Sequence, residues 1–406
     1  MSPAVLRSGA LLMLALHTHI HAYVMFTEPI VKLPPGNYCK TSDACYYEGQ
    51  YYQRGECVYT NCNICSCKES LTRDNELEMI CEQTPCIVDV TLKESVNLNL
   101  DLIWHASNYS FYWARSLQDG VQYRLGTLEP GRMICGIKSS ETDLDKMYPS
   151  CFDARIQWPD WVSGVQDQGW CSSSWALSTV QTASDRMAIW SKGAKLFEFS
   201  AQQLLDCNLD EQSRACRGGH LDRAWLYIDD SGLLEERCYS YTSGNTSDVD
   251  ECLMSDKMSD DCQPITLPKT EDHHSGRIYL LPTEQAIMHE IMTYGPVQAT
   301  MSVHRDFFMY QSGVYQPSPE VLDRVEGYHS VRLLGWGVDI DNDRHAVKYW
   351  LAANTWCTHW GEKGYFRIRR GHNDCEIESY VIATKPFHNA SSNDLEEDDS
   401  DEYDNY

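Results

Sequence analysis

The amino-acid sequence predicts an α+β protein with two lobes, one helical and one built from strands, that enclose a cleft and follow a small disulfide-rich module. Three observations lead to this prediction. Residues 174–189 have the apolar spacing of a helix. Residues 347–354 and 364–370 are strand-like stretches, rich in aromatic and aliphatic residues and bounded by glycine or polar positions. Residues 39–86 contain eight cysteines.

The N-terminus has the form of a secretory signal peptide. Arg7 precedes a short apolar run, and the small residue Ala22 is the expected last residue of the cleaved peptide. We therefore assign residues 1–22 to the signal. A buried N-terminal helix is the alternative. The apolar run is too short to span a bilayer, and no other stretch approaches 18 apolar residues, so the sequence predicts a secreted, extracellular protein without a membrane span.

The module at residues 39–86 is too rich in cysteine to have much of a hydrophobic core, so disulfides or a metal must hold it together. Zinc is the alternative to disulfides, but secretion favours disulfides, and we expect neither a metal nor a cofactor. The Cys-x-x-Cys-x-Cys spacing of residues 62–67, followed by Cys81 and Cys86, resembles a von Willebrand factor type C module. That resemblance implies an extracellular interaction module.

Residues 87–150 form a connector of different composition, with Cys135 as their only cysteine. Aromatic residues cluster at 103–113, which is too aromatic for a free linker because exposed rings would favour aggregation. We therefore expect the connector to pack on a neighbouring domain. The globular domain follows at residues 151–387. Its predicted helix should turn one face to the core, formed by Leu177, Val180, Ser184, Met187 and Ala188.

The formal net charge of −26 argues against nucleic acid and anionic membranes as partners and favours basic proteins or cations. Acidic residues dominate the tail at 388–406, which we expect to be disordered. The tail would act as a solubiliser or, alternatively, bind calcium or a basic partner weakly. Sequons at Asn108, Asn245 and Asn389 are candidate glycosylation sites.

A strip of five residues, Cys-Ser-Ser-Ser-Trp at 171–175, is the most informative motif. A cysteine protease needs a thiolate, a histidine that keeps it ionised, a group that orients the histidine, and a donor for the oxyanion. His329 lies 155 residues after Ser174, and Asn354 lies 25 residues further on. Gln168 precedes the strip and is a candidate oxyanion donor.

These motifs resemble the papain family, and cathepsin B most closely within it, with Ser174 at the position of the nucleophilic cysteine. Residues 152–159, 306–315 and 375–379 support the resemblance, as does Cys-Arg-Gly-Gly at 216–219. The resemblance implies a papain-like fold with a cleft lined by Gly218, Gly219, Trp356 and Tyr380. It also implies a disulfide between Cys171 and Cys216, and pairing of Cys207 and Cys238 within a set that includes Cys252 and Cys262.

The cysteine-rich module, the Gln-Tyr-Arg-Leu-Gly-Thr stretch at 122–127 and serine at position 174 together resemble the tubulointerstitial nephritis antigen family. Its members are secreted, matrix-associated and regarded as non-peptidase homologues. Residues 103–127 look like the cathepsin B propeptide, which lies through the cleft of a zymogen. Without a cutting residue, this segment would stay in place.

Exchange of the cysteine for Ser174 removes the preformed ion pair. A cysteine has a pKa of about 8.5, and a histidine partner lowers it to about 3–4, whereas a serine hydroxyl does not ionise in this way. The oxygen is also smaller, and a misplacement of about 1 Å costs about 10²-fold in rate.

The sequence departs from cathepsin B elsewhere too. Ser172 replaces a glycine and is expected to crowd the cleft floor. No paired-histidine occluding loop is evident at 238–275, and His273 and His274 lie outside such a loop.

Cys357 has two alternatives, a free thiol or a disulfide with Cys375. For function, the sequence favours a catalytically inactive glycoprotein that binds extracellular-matrix proteins or cell-surface receptors. The alternative is a weak serine-type peptidase that uses Ser174, His329 and Asn354. A third hypothesis is a decoy that holds substrates or inhibitors without cutting them, and it requires an open cleft.

Overall fold

The computed structural model describes residues 44–72, 76–130, 138–139, 147–208, 215–253, 261–265, 278–342 and 344–384. These residues form two compact units. The smaller unit consists of residues 44–59 and 64–81, and the larger unit contains residues 60–63 and everything described from Glu82 onward. The predicted signal peptide at 1–22 and the acidic tail at 388–406 lie outside the described residues.

The smaller unit is built from short strands and disulfides. Its strands are β1 (Ala44–Tyr47), β2 (Gln50–Gln53), β3 (Cys57–Thr60), β4 (Asn63–Glu69) and β5 (Leu77–Cys81). The last residue of β3 and the first residue of β4 group with the larger unit. β1 pairs with β2, and β3, β4 and β5 form a three-stranded sheet. Disulfides join Cys45 to Cys67 and Cys65 to Cys81. Among the described residues of this unit, the buried core consists of cysteines, Tyr52 and Val58, so the crosslinks supply the stability that a larger core would give.

Among the described residues, the larger unit contains eight α-helices. They are α1 (Val90–Leu98), α2 (Leu117–Arg124), α3 (Ala154–Gln157), α4 (Ser174–Trp190), α5 (Ala201–Cys207), α6 (Leu221–Ser231), α7 (Ser243–Thr246) and α8 (Glu284–Tyr294). Thr283 caps the start of α8 by accepting a hydrogen bond from the backbone of Ala286. In the part of the chain that the structure describes, no helix combines the length and the apolar character that a membrane span requires.

One ten-stranded sheet forms the β lobe. Its strands are β6 (Trp104–Ala106), β7 (Lys138–Ser139), β8 (Phe152–Asp153), β9 (Ile278–Leu280), β10 (Val297–Val303), β11 (Tyr310–Tyr315), β12 (Gly327–Ile340), β13 (Ala346–Ala353), β14 (Tyr365–Arg369) and β15 (Tyr380–Thr384). The strand order is β6-β11-β14-β13-β12-β10-β15-β9-β7, and β8 pairs separately with β12. The predicted α+β class is thereby confirmed.

Helix α4 confirms the predicted helix but differs from it in burial. Every residue from Ser174 to Ala188 is buried, instead of one face. The reason is that α4 lies between α5 and α6 on one side and strands β10 and β12 on the other. Its polar side chains are paired accordingly: Asp185 makes an ion pair with Arg332 of β12, and both side chains are fully buried.

The connector belongs to the larger unit. Strand β6 pairs with β11 at one edge of the sheet, so the aromatic stretch 103–113 joins the β lobe as part of its structure. Trp104 and Tyr112 are fully buried in the main hydrophobic core of that lobe. The aromatic composition therefore reflects burial, as we predict from the sequence. The domain boundaries inferred from the sequence stay predictions.

Candidate active site

Ser174 lies at the first turn of α4, at the floor of the cleft. It is fully buried, and Ser173 is the N-cap residue of the helix. Three residues before Ser174, Cys171 forms a disulfide with Cys216. The backbone of Ser172 donates to the carbonyl of Cys216 over 3.2 Å. The strip is thus held from one side by a crosslink and from the other by a buried helix.

His329, Asn354 and Trp356 come together on the β lobe. His329 lies on β12, opposite Met301 of β10, and Asn354 follows the last residue of β13. The Nε2 atom of His329 is 2.7 Å from Oδ1 of Asn354. The ring of Trp356 lies 4.9 Å from that of His329, centroid to centroid, and covers the pair.

The imidazole of His329 is neutral in this environment. Burial lowers its pKa to about 4, and the nearby Arg124 guanidinium lowers it too, while the hydrogen bond to Asn354 acts in the opposite direction. Since Oδ1 of Asn354 only accepts, Nε2 carries the proton and Nδ1 has the lone pair. Nδ1 is buried without a hydrogen-bond partner among the described residues. The base that a serine nucleophile needs therefore makes no bond to Ser174.

Ser174 instead pairs with a residue of the connector. Its Oγ lies 3.2 Å from Oγ1 of Thr127, and both residues are buried. The backbone N–H of Thr127 donates to the carbonyl of Tyr328, the residue before His329, over 3.3 Å. Thr127 thus bridges the helix side and the strand side of the cleft.

The chain around Thr127 makes backbone bonds to both walls. Leu128 donates to the carbonyl of Gly219 over 3.0 Å, and Gly219 donates to the carbonyl of Gly126 over 3.1 Å. Gly126 has a φ of +155°, and a Cβ atom there would lie 2.5 Å from the backbone of Ser172. Only glycine allows this close approach. The predicted cleft-lining pair Gly218 and Gly219 thus lies at the cleft, where Gly219 binds the connector.

Gln168 also binds the connector. Its side-chain amide nitrogen donates to the carbonyl of Cys171 over 2.8 Å and to the connector carbonyls of Tyr123 and Leu125 over 3.1 and 3.4 Å. Its Oε1 accepts from the hydroxyl of Thr355 over 2.6 Å. The group that we predict as an oxyanion donor is therefore fully engaged.

Tyr380, at the start of β15, is half-buried and packs against the hydrophobic core of the helical lobe. Burial raises the pKa of its hydroxyl, and the neighbouring Asp222 raises it further. The residue is therefore an uncharged phenol at neutral pH. The region from 266 to 277, which includes His273 and His274, lies outside the described residues.

The cysteines divide into paired and unpaired sets. Besides the disulfide at the strip, the helical lobe contains Cys207–Cys252 and Cys238–Cys262. In the cysteine-rich region, a further disulfide joins Cys62 to Cys86. Cys357 and Cys375 are both unpaired, so the disulfide considered between them is wrong. The backbone places Cys375 in the buried core, whereas Cys357 is half-exposed near His359. No cluster of three or more metal-binding side chains occurs among the described residues.

Two of the three sequons lie within the described residues. Asn108 and Asn245 are both exposed, so a glycan could be attached at either without disturbing the core. Asn389 lies outside the described residues.

Sequence reasoning missed Thr127 and the roles of Trp170 and Ser172. Two guanidinium groups of the connector contact the ring of Trp170, that of Arg115 at 4.3 Å and that of Arg124 at 4.8 Å from its centroid. Ser172, which the sequence predicts to crowd the cleft floor, donates its hydroxyl to the carbonyl of Gln122 instead. The sequence contains a signal for the contact of Trp170, since a large aromatic residue directly before the strip needs a partner that covers its ring.

Comparison with known proteins gives a consistent result. Residues 148–385 match the sequence model of the papain family cysteine proteases. Human "Tubulointerstitial nephritis antigen-like" is 36% identical over 358 residues, which cover 83% of this chain and 75% of the relative. Human "Tubulointerstitial nephritis antigen" is also 36% identical, over 89% of this chain and 77% of the relative.

The fold is similar to solved structures of procathepsins. Procathepsin B S9 from Trypanosoma congolense has a TM-score of 0.62 and 26% identity, covering 74% of this chain and 99% of that one. Digestive procathepsin L 3 of Tenebrio molitor has a TM-score of 0.57, covering 73% of this chain and 88% of that one, and at 24% identity it supports the fold alone.

Proposed function

Because this chain belongs to the papain family, and within it to the relatives named tubulointerstitial nephritis antigen, we propose that it is a secreted, catalytically inactive cathepsin B-like glycoprotein. It works by binding extracellular-matrix proteins or cell-surface receptors. The papain-like domain serves as a stable body, and the cysteine-rich region at 39–86 supplies an adhesive module.

One observation carries the proposal of inactivity. The hydroxyl of Ser174 bonds to Thr127, and Nδ1 of His329 has no hydrogen-bond partner among the described residues. Serine catalysis needs a hydrogen bond from the nucleophile to a base, because the base removes the proton during attack. The connector also lies where a substrate would have to bind, with backbone bonds to Gly219 and Tyr328.

The composition of the smaller unit supports the adhesive role. The side chains of Tyr46, Tyr51 and Tyr59 are more than half exposed there, although large aromatic residues are usually covered. The rings of Tyr46 and Tyr51 lie 5.0 Å apart on one face of the β1–β2 hairpin. Exposed tyrosines are enriched at protein–protein contacts because they offer a large rigid surface with a polar end.

A weak serine-type peptidase is the second candidate. The 2.7 Å bond between His329 and Asn354 favours it, since this half of a catalytic arrangement is in place. Purified protein and its Ser174→Ala variant separate the two candidates in a peptide-hydrolysis assay. The inactive protein gives equal background rates for both. A rate that disappears with the Ser174→Ala change would establish the peptidase and overturn the proposal of inactivity.

Binding is tested by capture on an extracellular-matrix extract. The full chain, a chain lacking residues 39–86 and the double variant Tyr46→Ala/Tyr51→Ala are compared at equal concentration. We expect the deletion to abolish capture and the double variant to reduce it. Capture that is unchanged by the deletion would show that the module is not the adhesive part.

A further inference from the structure

We propose that Cys357 is a site of covalent modification, where the protein exchanges its thiol with the disulfide of a small amino acid and so forms a mixed disulfide. His359 accepts the proton of the thiol, and Arg124 and Asp167 recognise the charged groups of the amino acid. The inference goes beyond the proposed function and does not involve Ser174. Secretion matters to it only as the source of the reagent, because disulfides persist in oxidising compartments.

A surface cavity of about 480 Å³ contains the proposed site. Its size lies within the range of about 300–1,000 Å³ that is usual for small-molecule sites, and its wall combines apolar and charged groups as such sites do. Ser174 and Thr127 do not line it, so the cavity is separate from the remnant active site. The lining residues that bear on the proposal are Phe111, Val165, Arg124, Asp167, Cys357 and His359.

The thiol of Cys357 is available for reaction. It is half-exposed and has no disulfide partner among the described residues, whereas the other unpaired thiol nearby in sequence, Cys375, is buried in the core. The backbone of Cys357 has a φ of +67°, and its amide donates to the carbonyl of Gln166 over 3.4 Å. A left-handed conformation is unfavourable for a residue with a side chain and occurs preferentially at functional sites.

An imidazole stands beside the thiol. Nδ1 of His359 lies 3.9 Å from Sγ of Cys357, and the histidine is exposed, so its ring can exchange protons with water. Burial raises the pKa of the Cys357 thiol, which is therefore protonated at neutral pH. Because only the thiolate attacks a disulfide, the reaction needs a base at this position.

The exchange step follows from this pair. The proton of Cys357 passes to Nδ1 of His359, and the thiolate attacks one sulfur of the incoming disulfide. A new S–S bond forms to Cys357 as the S–S bond of the reagent breaks. The second half of the reagent leaves as a thiolate and takes the proton from the imidazolium. One disulfide replaces another, so the reagent itself is the oxidant and no further electron acceptor is needed.

A pair of opposite charges in the cavity selects the reagent. Arg124 makes an ion pair with Asp167 over 2.9 Å, and the carboxylate is 47% exposed. Nε of Arg124 is buried and has no hydrogen-bond partner among the described residues, so the guanidinium retains the capacity to donate. One cation and one anion side by side complement the α-carboxylate and α-ammonium of an amino acid.

The apolar part of the wall suits the rest of such a reagent. Phe111 and Val165 are both half-buried there and offer surface to methylene groups and sulfur. Sulfur interacts favourably with aromatic rings. The cavity thus matches a small molecule that carries a disulfide, short methylene links and a zwitterionic end, which is the composition of cystine.

Peptide mass spectrometry of the full-length protein tests the inference. Brief mild reduction first frees the accessible thiols, and the peptide map verifies that the disulfides of the structure are intact. Cystine is then compared with cystamine, which lacks carboxylates, and with 3,3′-dithiodipropionate, which lacks ammonium groups. The rate at Cys357, relative to that at the exposed Cys151, should be about tenfold higher with cystine than with either analogue. That factor corresponds to one charge-assisted hydrogen bond.

A histidine variant tests the base. His359→Gln should slow the reaction of Cys357 at neutral pH by at least about tenfold with every reagent and leave Cys151 unchanged, because the proton acceptor is lost. The position is exposed, so the variant keeps the fold. His372→Gln is the matched control, since His372 is also exposed but does not line the cavity. It should leave both rates unaltered.

Three results would overturn the inference. The first is a disulfide between Cys357 and another cysteine of the chain in the isolated protein. The second is a relative rate at Cys357 that is equal for cystine and both analogues. The third is a rate at Cys357 that His359→Gln does not change. Peptide hydrolysis that depends on Ser174 would refute only the proposed inactivity, so the two failures are distinguishable.

Discussion

The two walls of the cleft differ in how much of a protease they retain. On the strand side, His329, Asn354 and Trp356 keep an arrangement that could orient a catalytic base. On the helix side, Ser172 and Ser174 use their hydroxyls to hold the connector. The strand side thus presents an oriented histidine, whereas the helix side uses its hydroxyls for contacts with the connector.

The difference follows from what each wall does for stability. Trp356 is fully buried and stacks on Phe308 at 5.1 Å, and it is part of the aromatic core that fills the β lobe. Changes there cost packing energy. Position 174 needs only to fit at the start of α4, which burial and the Cys171–Cys216 disulfide already fix. A serine at this position is therefore compatible with the fold, and under the proposed function it removes catalysis.

The largest expected effect is therefore on the strand side. Trp356→Ala should lower the free energy of unfolding by about 3–5 kcal/mol, because it empties a fully buried aromatic site. Denaturant unfolding measures this change. Trp170→Ala is the matched control on the helix side and should cost less, since Trp170 is only half-buried. Equal costs would contradict the proposed division between the two walls.

The second prediction concerns pH. The pKa of His329 is about 4 in the folded protein, against about 6.5 for an unfolded histidine. As the pH falls, the unfolded chain binds the proton first. The contribution of His329 is therefore fully present above about pH 6.5 and is lost as the pH falls towards 4, by up to roughly 3 kcal/mol.

The difference in stability between the protein and its His329→Gln variant, followed from pH 7.5 to 4, checks this prediction. Glutamine does not titrate, so the unmodified protein should lose stability relative to the His329→Gln variant as the pH falls. A difference that does not vary with pH would mean that the imidazole is not held neutral by burial.

A third prediction concerns access to the helix side. A thiol introduced by Ser174→Cys should react with iodoacetamide at least about tenfold more slowly than the exposed Cys151, because Thr127 and its neighbours cover it. Mass spectrometry of modified peptides compares both thiols in one sample. Adding Gly126→Ala, which introduces a Cβ atom 2.5 Å from the backbone of Ser172, should reduce the difference in reaction rate between the two thiols. Equal rates without that change would show an open cleft.

The smallest expected effect is the loss of the Ser174 hydroxyl. Ser174→Ala should change the global free energy of unfolding by no more than about 1 kcal/mol, the net value of one hydrogen bond. Thermal unfolding with Ser178→Ala as the control is a suitable measurement, since Ser178 makes buried bonds to Ser174, Ser330 and Gln298. A larger loss for Ser174 than for Ser178 would mean that the connector contributes to global stability.

The α+β class follows from local patterns in the sequence, whereas His329, Asn354 and Trp356 are identified through the resemblance to the papain family. The spacing within residues 174–189 predicts α4, and residues 347–354 match β13. The contacts of Thr127 do not follow from such patterns, because they depend on a segment that returns to the cleft from 47 residues before Ser174. Disulfide partners are hidden for the same reason: Cys207–Cys252 and Cys238–Cys262 depend on how the loops fold, not on spacing.

The most direct test of this account is the reactivity of Ser174 itself. A fluorophosphonate probe labels a serine that a base can activate, and peptide mass spectrometry identifies the labelled residue. We predict no labelling at Ser174 in the intact protein, at a probe concentration that fully labels a serine protease in the same tube. Labelling at Ser174 that disappears in the His329→Gln variant would contradict it.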